Sequence, residues 1–357
     1  MEEEGNVLGW AARDTSGVLS PFIFPKRGMK CDEVTLKVLY CGICHSDLST
    51  IKNEWGNARY PIVPGHEIVG IITEVGHAAR KFKIGDKVGV GCLAGACFSC
   101  GSCRLGDENY CSKLVSIFNG SHPDGSQTFG GFSETMVIHE HFAVRIPETL
   151  PLDRVAPLMC AGITVYAPMR RHGLDQPGLH LGVLGLGGLG HLAVKFAKSL
   201  GTKVTVIGWP DMEKDAIEGL GADSFIVSGD EGQMKAARGS MDGILITSSG
   251  ALSLRPLLAL LKVQGKLVLL GVPSSPPELP TFDLVSGGKS ISGSMCGGLK
   301  ETQEMIDFAA EHSITPQVEI IGMNDVNSAM HRLEKGDVRF RFVIDVANTI
   351  RATGARA

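Results

Sequence analysis

Two patterns of apolar and polar positions divide this chain near residue 150. Before that point apolar residues come in short runs at 34–38, 68–75, 87–90 and 132–138, as expected of half-buried strands. Gly, Pro and Asp clusters such as Pro61-Ile62-Val63-Pro64-Gly65 and Ile84-Gly85-Asp86 separate the runs and mark turns. This part reads as a mostly β domain with long loops. From about Ala156 the pattern alternates between strand and helix. Strands are expected at 182–184, 203–207, 224–227, 243–246, 266–270 and 289–292, with helical spacing at 190–200, 213–220, 231–238 and 252–261 between them. Six strands separated by helices predict a doubly wound parallel sheet. The tail carries a helix at 302–311, a strand at 318–321, a further helix and a strand at 340–346, and is expected to rejoin the first domain. The expected division is therefore 1–160 with 299–357, and 161–298.

The sharpest local signal is Leu181-Gly182-Val183-Leu184-Gly185-Leu186-Gly187-Gly188-Leu189-Gly190. An apolar strand runs into Gly-x-Gly-x-x-Gly, and Leu189, Leu192, Ala193, Phe196, Ala197 and Leu200 then fall on one helix face. Gly185 permits the tight turn, Gly187 lets backbone amides approach a diphosphate, and Gly190 lets the helix pack against the strand. Free amides at the helix start favour the anion. A glycine-rich turn alone is weak evidence. Set between this strand and this helix, with a second strand following, it predicts dinucleotide binding.

Charge and length exclude some partners. A net charge of -4 offers no basic face for nucleic acid or an anionic membrane. No apolar run approaches the ~20 residues that span a bilayer. The start, Met1-Glu2-Glu3-Glu4, lacks the basic character of a targeting signal, and Gly354-Ala355-Arg356-Ala357 matches no peroxisomal or prenylation signal, so a cytoplasmic address is expected.

Ten cysteines in such a chain point to metal ligands or buried thiols rather than a disulfide framework. Cys97, Cys100, Cys103 and Cys111 are spaced C-x2-C-x2-C-x7-C, a set that can close tetrahedrally on a structural Zn²⁺. An iron–sulfur cluster or redox disulfides would use the same four residues. A second constellation is dispersed over Gly42-Ile43-Cys44-His45-Ser46-Asp47, Gly65-His66-Glu67 and Pro157-Leu158-Met159-Cys160. Two thiolates and an imidazole, from Cys44, Cys160 and His66, make the three-ligand set of a zinc with an open fourth position. Cys31, Cys41, Cys92 and Cys296 read as small buried hydrophobes.

With these motifs the chain resembles the zinc-dependent medium-chain dehydrogenase/reductase superfamily, and within it the plant cinnamyl alcohol dehydrogenase-like branch. The resemblance runs end to end, through Gly-Ile-Cys-His-Ser-Asp at 42–47, Pro-Gly-His-Glu-Ile-Val-Gly at 64–70, the four-cysteine lobe, Cys-Ala-Gly-Ile-Thr at 160–164, the glycine loop at 185–190 and Phe340 to Asp345. It implies an α/β protein with a Rossmann domain inserted in a GroES-like catalytic domain, a homodimer, and two zinc ions per chain. One zinc is catalytic, on Cys44, His66 and Cys160 with Glu67 as an occasional ligand; the other is structural, on the four clustered cysteines. The resemblance also makes Ser46 the hydroxyl that exchanges a proton with the substrate oxygen, and puts Gly185 to Gly190 with Thr164 at the cofactor.

Two departures from the family pattern matter. Members acting on ordinary alcohols carry His five residues after the first ligand, where this chain has Ser49. A hydroxyl relays protons through water but stores none near neutral pH, so oxidation should be slowed more than reduction. The ribose-reading position, about 20 residues past the glycine loop, holds Trp209 in Ile207-Gly208-Trp209-Pro210-Asp211. Lys214 alone remains of the branch's Ser/Thr-rich run and Lys. NADP(H) is expected ahead of NAD(H) on family grounds, with Trp209 on the adenine and Asp211 as the NAD-type alternative. Trp55, Ser116 and Phe118 are candidates for a pocket wall, which would suit a flat or prenyl-like aldehyde better than a polyol. The expected activity is reduction of a hydrophobic, conjugated aldehyde, or oxidation of its alcohol. Reduction of an alkaloid iminium or conjugated C=C is the alternative, and a non-enzymatic nucleotide binder the third reading.

Overall fold

The structure, a computed structural model, describes residues 5–250, 252–273 and 275–351. The termini read above for targeting signals, 1–4 and 354–357, lie outside the described residues. The chain divides into two compact units, one running to Cys160 and resuming at Gly297, the other spanning Ala161–Cys296. Among the described residues no helix is long and apolar enough to cross a membrane.

The first unit is built on a sheet whose spatial order is Val318–Ile321, Arg341–Asp345, Glu33–Ile43, Ile68–Val75, Lys87–Val90, Ala143–Arg145, with Thr135–His139 also pairing Glu33–Ile43. Its central strand, Glu33–Ile43, is long enough to take partners on both edges. Val34, Leu36, Val38, Cys41 and Ile43 are buried at its core. The tail returns to this sheet: Phe342 to Asp345 pair antiparallel with Ile43 to Tyr40. That pairing carries Arg341 beside the strand end from which Cys44 emerges. A separate hairpin, Asn6–Ala12 with Leu19–Pro25, covers the sheet.

The second unit is a six-stranded parallel sheet in the order Ser224–Val227, Lys203–Gly208, His180–Leu184, Met241–Ile246, Leu261–Leu269, Ser290–Gly293. In order along the chain this is 3-2-1-4-5-6, the dinucleotide-binding topology, and every pairing is parallel. The strands agree with the expected ones to within a few residues. The helix expected over 213–220 forms over 213–219, following a short turn at Pro210–Met212, with Asp215–Gly219 wound as a π-helix. Gly221, with φ +75, ends it. A helix at Ala161–Arg171, not expected from the apolar spacing, opens this unit and packs on Gly190–Ser199.

Candidate active site

Cys44 follows the central strand directly and is the N-cap of the helix His45–Ile51. Asp47, fully buried in the first turn of that helix, ties the region together. Its carboxylate accepts from the Cys44 amide (2.9 Å) and the Gly65 amide (2.9 Å), and lies 2.9 Å from His66 Nδ1. A carboxylate holding Nδ1–H fixes the ring and leaves Nε2 as the free ligand atom. The Ser46 hydroxyl lies 3.2 Å from that Nε2. Phe118 stacks on the His66 ring, centroids 5.7 Å apart.

The ligand atoms of Cys44, His66, Glu67 and Cys160 all lie within 4.8 Å of one another. The electrostatics suit a cation. The Cys160 sulfur, hydrogen-bonded to the Cys44 thiol, holds it well below its usual range against burial, with Arg341 and His66 adding to the effect. Burial disfavours a charged His66, yet Asp47, Cys92 and Cys44 outweigh it and raise the imidazole well above its usual value. Negative charge thus gathers at this point. Glu67 Oε1 pairs with Arg341, while the buried Oε2 has no partner. Burial pushes the Glu67 carboxyl up to about 7, with Arg341 opposing. Two sulfurs, one imidazole nitrogen and an orphaned carboxylate oxygen fit Zn²⁺ rather than a hard oxygen-seeking ion.

The second sulfur set is equally compact. Cys97, Cys100, Cys103 and Cys111 bring their sulfurs within 4.8 Å of one another. Backbone amides of Cys97, Cys100 and Lys113 donate to sulfurs of the set at 3.3–3.4 Å. Hydrogen bonds from Ser99 and the Cys100 amide bring Cys97 down to about 5, whereas burial and the neighbouring sulfurs push Cys103 up to about 12. Without a cation the four thiols cannot all ionise, so the donor set fits a tetrahedral Zn²⁺ with no open position.

In the nucleotide unit Gly185 has φ +92, and a Cβ on Gly190 would run into the Gly185 carbonyl. Gly187 faces open space, where a side chain would stand in a ligand's place. Thr247 Oγ1 braces the turn by donating to the Leu184 carbonyl at 2.9 Å. These features fit a diphosphate at the start of helix Gly190–Ser199. Leu186 is buried and anchors the loop, with Gly188 and Leu189 leading into the helix. Thr164 is buried, 3.6 Å from Cys296 Sγ. Trp209, 64% exposed, follows the end of strand Lys203–Gly208; Asp211 and Lys214 are exposed beyond it.

The structure therefore brings Cys44, Ser46, His66, Glu67 and Cys160 together, with Phe118 against them. Ser116 is exposed on a short ribbon with Leu93–Gly95, and Trp55 is 52% exposed. Sequence reasoning missed Asp47 and Arg341 as site residues. Both carried a signal: an acid three residues after Cys44, and a lone cation inside the apolar strand Phe340 to Ile344.

Comparison with known proteins gives the family. The alcohol dehydrogenase GroES-like domain family matches residues 30–148, and the zinc-binding dehydrogenase family matches residues 188–311. The chain is 59% identical to the 8-hydroxygeraniol dehydrogenase of Catharanthus roseus, over 99% of this chain and 98% of that protein. A solved cinnamyl alcohol dehydrogenase of Sorghum bicolor, SbCAD4, is 54% identical with a TM-score of 0.95, covering 97% of this chain and 99% of that one. CAD from Helicobacter pylori, solved with NADP(H), is 36% identical with a TM-score of 0.90 over 96% and 99%. The chain belongs to the zinc-dependent medium-chain dehydrogenases, in their plant cinnamyl alcohol dehydrogenase branch.

Proposed function

We propose that this chain is an NADP(H)-dependent alcohol dehydrogenase and aldehyde reductase acting on a hydrophobic, conjugated substrate of the cinnamyl or terpenoid type. The observation that carries the reading is the convergence of Cys44, His66 and Cys160 beside the Ser46 hydroxyl. These three residues would hold the catalytic zinc, with Glu67 as an occasional ligand, and the clustered Cys97, Cys100, Cys103 and Cys111 would hold a structural one. When bound, zinc supplies Lewis acidity to a carbonyl oxygen and NADPH supplies hydride.

The chain's own residues do the rest. Asp47 keeps His66 in one tautomer and one orientation. Ser46 gives a proton to the substrate oxygen during reduction and takes it back during oxidation. Ser49, almost fully buried on the same helix, can pass that proton through water but cannot store it, which favours reduction. Phe118 offers a flat apolar wall next to His66.

In the nucleotide unit the glycine loop would take the diphosphate, with Thr164 beside the cofactor. NADP(H) is the cofactor of the H. pylori relative. Here no acid stands at Trp209 to read a ribose 2′-hydroxyl. Lys214 makes no ion pair among the described residues and is available to a 2′-phosphate. Trp209 exposes a ring on which adenine can stack.

Iminium and conjugated C=C reduction are not favoured, since the relatives are named for alcohols. Six of the ten cysteines stand in the two metal-ligand sets, a use of cysteine that fits a reducing, cytoplasmic setting. A homodimer is proposed on the exposed apolar side chains of the nucleotide unit. A panel of cinnamaldehyde, a terpenoid enal, mannitol and an iminium alkaloid, each with NADP(H) and NAD(H), tests the substrate reading. Turnover should be best for the first two with NADPH; faster turnover of the polyol or the iminium would overturn it.

A further inference from the structure

The catalytic unit contains a cavity of about 370 Å³ whose lining includes none of Cys44, His66, Glu67 and Cys160. That volume falls within the ~300–1,000 Å³ of small-molecule pockets. Its floor is apolar, formed among others by Val7, Ala94, Ile117 and Met136. Phe24 and Phe129 add an aromatic wall, their rings 4.4 Å apart at 39°.

The rim is polar, but nearly all of it is already committed. Arg27 pairs twice with Glu33, at 2.9 Å each, and Lys26 pairs with Glu74 at 2.7 Å. Asp124 accepts from the Ser126 amide and hydroxyl, and the Gln127 amide donates to the Arg59 and Pro61 carbonyls. His122 differs. Its half-buried imidazole lines the cavity and makes no hydrogen bond to a described residue. Burial and the neighbouring Arg27 and Lys30 hold it below its usual value, so near neutral pH it offers one donor and one acceptor nitrogen.

A rim whose Lys and Arg are already paired has nothing left for an anion, and an unspent imidazole above an apolar floor matches a hydroxyl on a flat apolar body. We propose that this cavity is a second binding site for an uncharged aromatic alcohol or phenol, held by His122 over the Phe24 and Phe129 wall. Ile117 lines the cavity, and the next residue, Phe118, stacks on His66.

The choice of probe, 4-hydroxycinnamyl alcohol, rests on the proposed substrate class. Equilibrium dialysis of the zinc-loaded protein without cofactor counts its sites. Met136→Trp fills the cavity, and this variant should bind one equivalent per chain fewer than the wild type. His122→Leu, on a loop, should keep the count but weaken one class of site by roughly three- to tenfold. Equal counts in the wild type and a Met136→Trp protein of unchanged zinc content and circular dichroism would overturn the proposal. If Met136→Trp does not fold, His122→Leu decides alone: a weakened site supports the proposal, and an isotherm unchanged from wild type overturns it. Failure of the catalytic reading would instead appear as absent NADPH-dependent turnover, which this count does not use.

Discussion

At the scale of the residue, the zinc-dependent chemistry rests on side chains that touch no substrate. Asp47 spends its carboxylate on the Cys44 amide, the Gly65 amide and His66 Nδ1. Asp47→Ala should therefore weaken zinc affinity by about 10–100-fold, read by competition with a chromogenic chelator. Unchanged affinity would show that the backbone alone orients His66. Arg341 and Glu67 are a buried pair, and Arg341→Met leaves the acid uncompensated. The expected cost is about 3–5 kcal/mol in urea unfolding, and a loss below about 1 kcal/mol would mean Glu67 has another partner. Ser49→His should raise alcohol oxidation by roughly tenfold while changing aldehyde reduction little, because it adds a group able to store the proton. Cys44, His66 and Cys160 were legible because each sits in a motif with its own glycines. Arg341 was hidden in an apolar strand far along the chain, and only the antiparallel pairing of Phe342 with Ile43 places it beside Glu67.

Elements were legible where one period persisted. The parallel strands and the helix Gly190–Ser199 carry unbroken apolar patterns, and the expected and observed bounds agree closely. Ala161–Arg171 failed that test because it is buried almost all round, which removes the polar face that reveals a helix, and it carries Pro168 in its interior. The hairpin Asn6–Ala12 with Leu19–Pro25 was missed too, as Gly9 and the prolines at 21 and 25 interrupt its alternation. The four-cysteine lobe shows the reverse case, an element legible from ligand spacing rather than apolar period. Its helix Gly101–Leu105 buries no side chain, so that turn depends on the sulfur set at its start rather than on packing of its own. Cys100→Ser should then lose one zinc equivalent per chain and lower the Tm by several degrees, in the presence or absence of substrate. A variant that binds two zincs and melts with the wild type would show that the lobe's shape does not depend on this ligand.

At the scale of the whole molecule, the nucleotide unit exposes large apolar side chains to solvent. Phe282 and Val285, on the helix Thr281–Gly287, are 79% and 81% exposed, and Val272 and Val263 are 74% and 77% exposed. Phe282 and Val285 stand one turn apart on that helix, and on the proposed homodimer a second copy of the chain would cover them with the same groups in return. Each such side chain is worth about 1.5–3 kcal/mol on burial. Phe282→Glu with Val285→Glu removes four of them from a twofold interface, so the dissociation constant should rise by at least ~10⁴-fold. Sedimentation at micromolar concentration should show a dimer for the wild type and a monomer for the double variant. The zinc content should not change, because the ligand sets lie wholly within the catalytic unit. A wild-type protein that sediments as a monomer, or a double variant that remains dimeric, would show that these side chains serve something other than self-association.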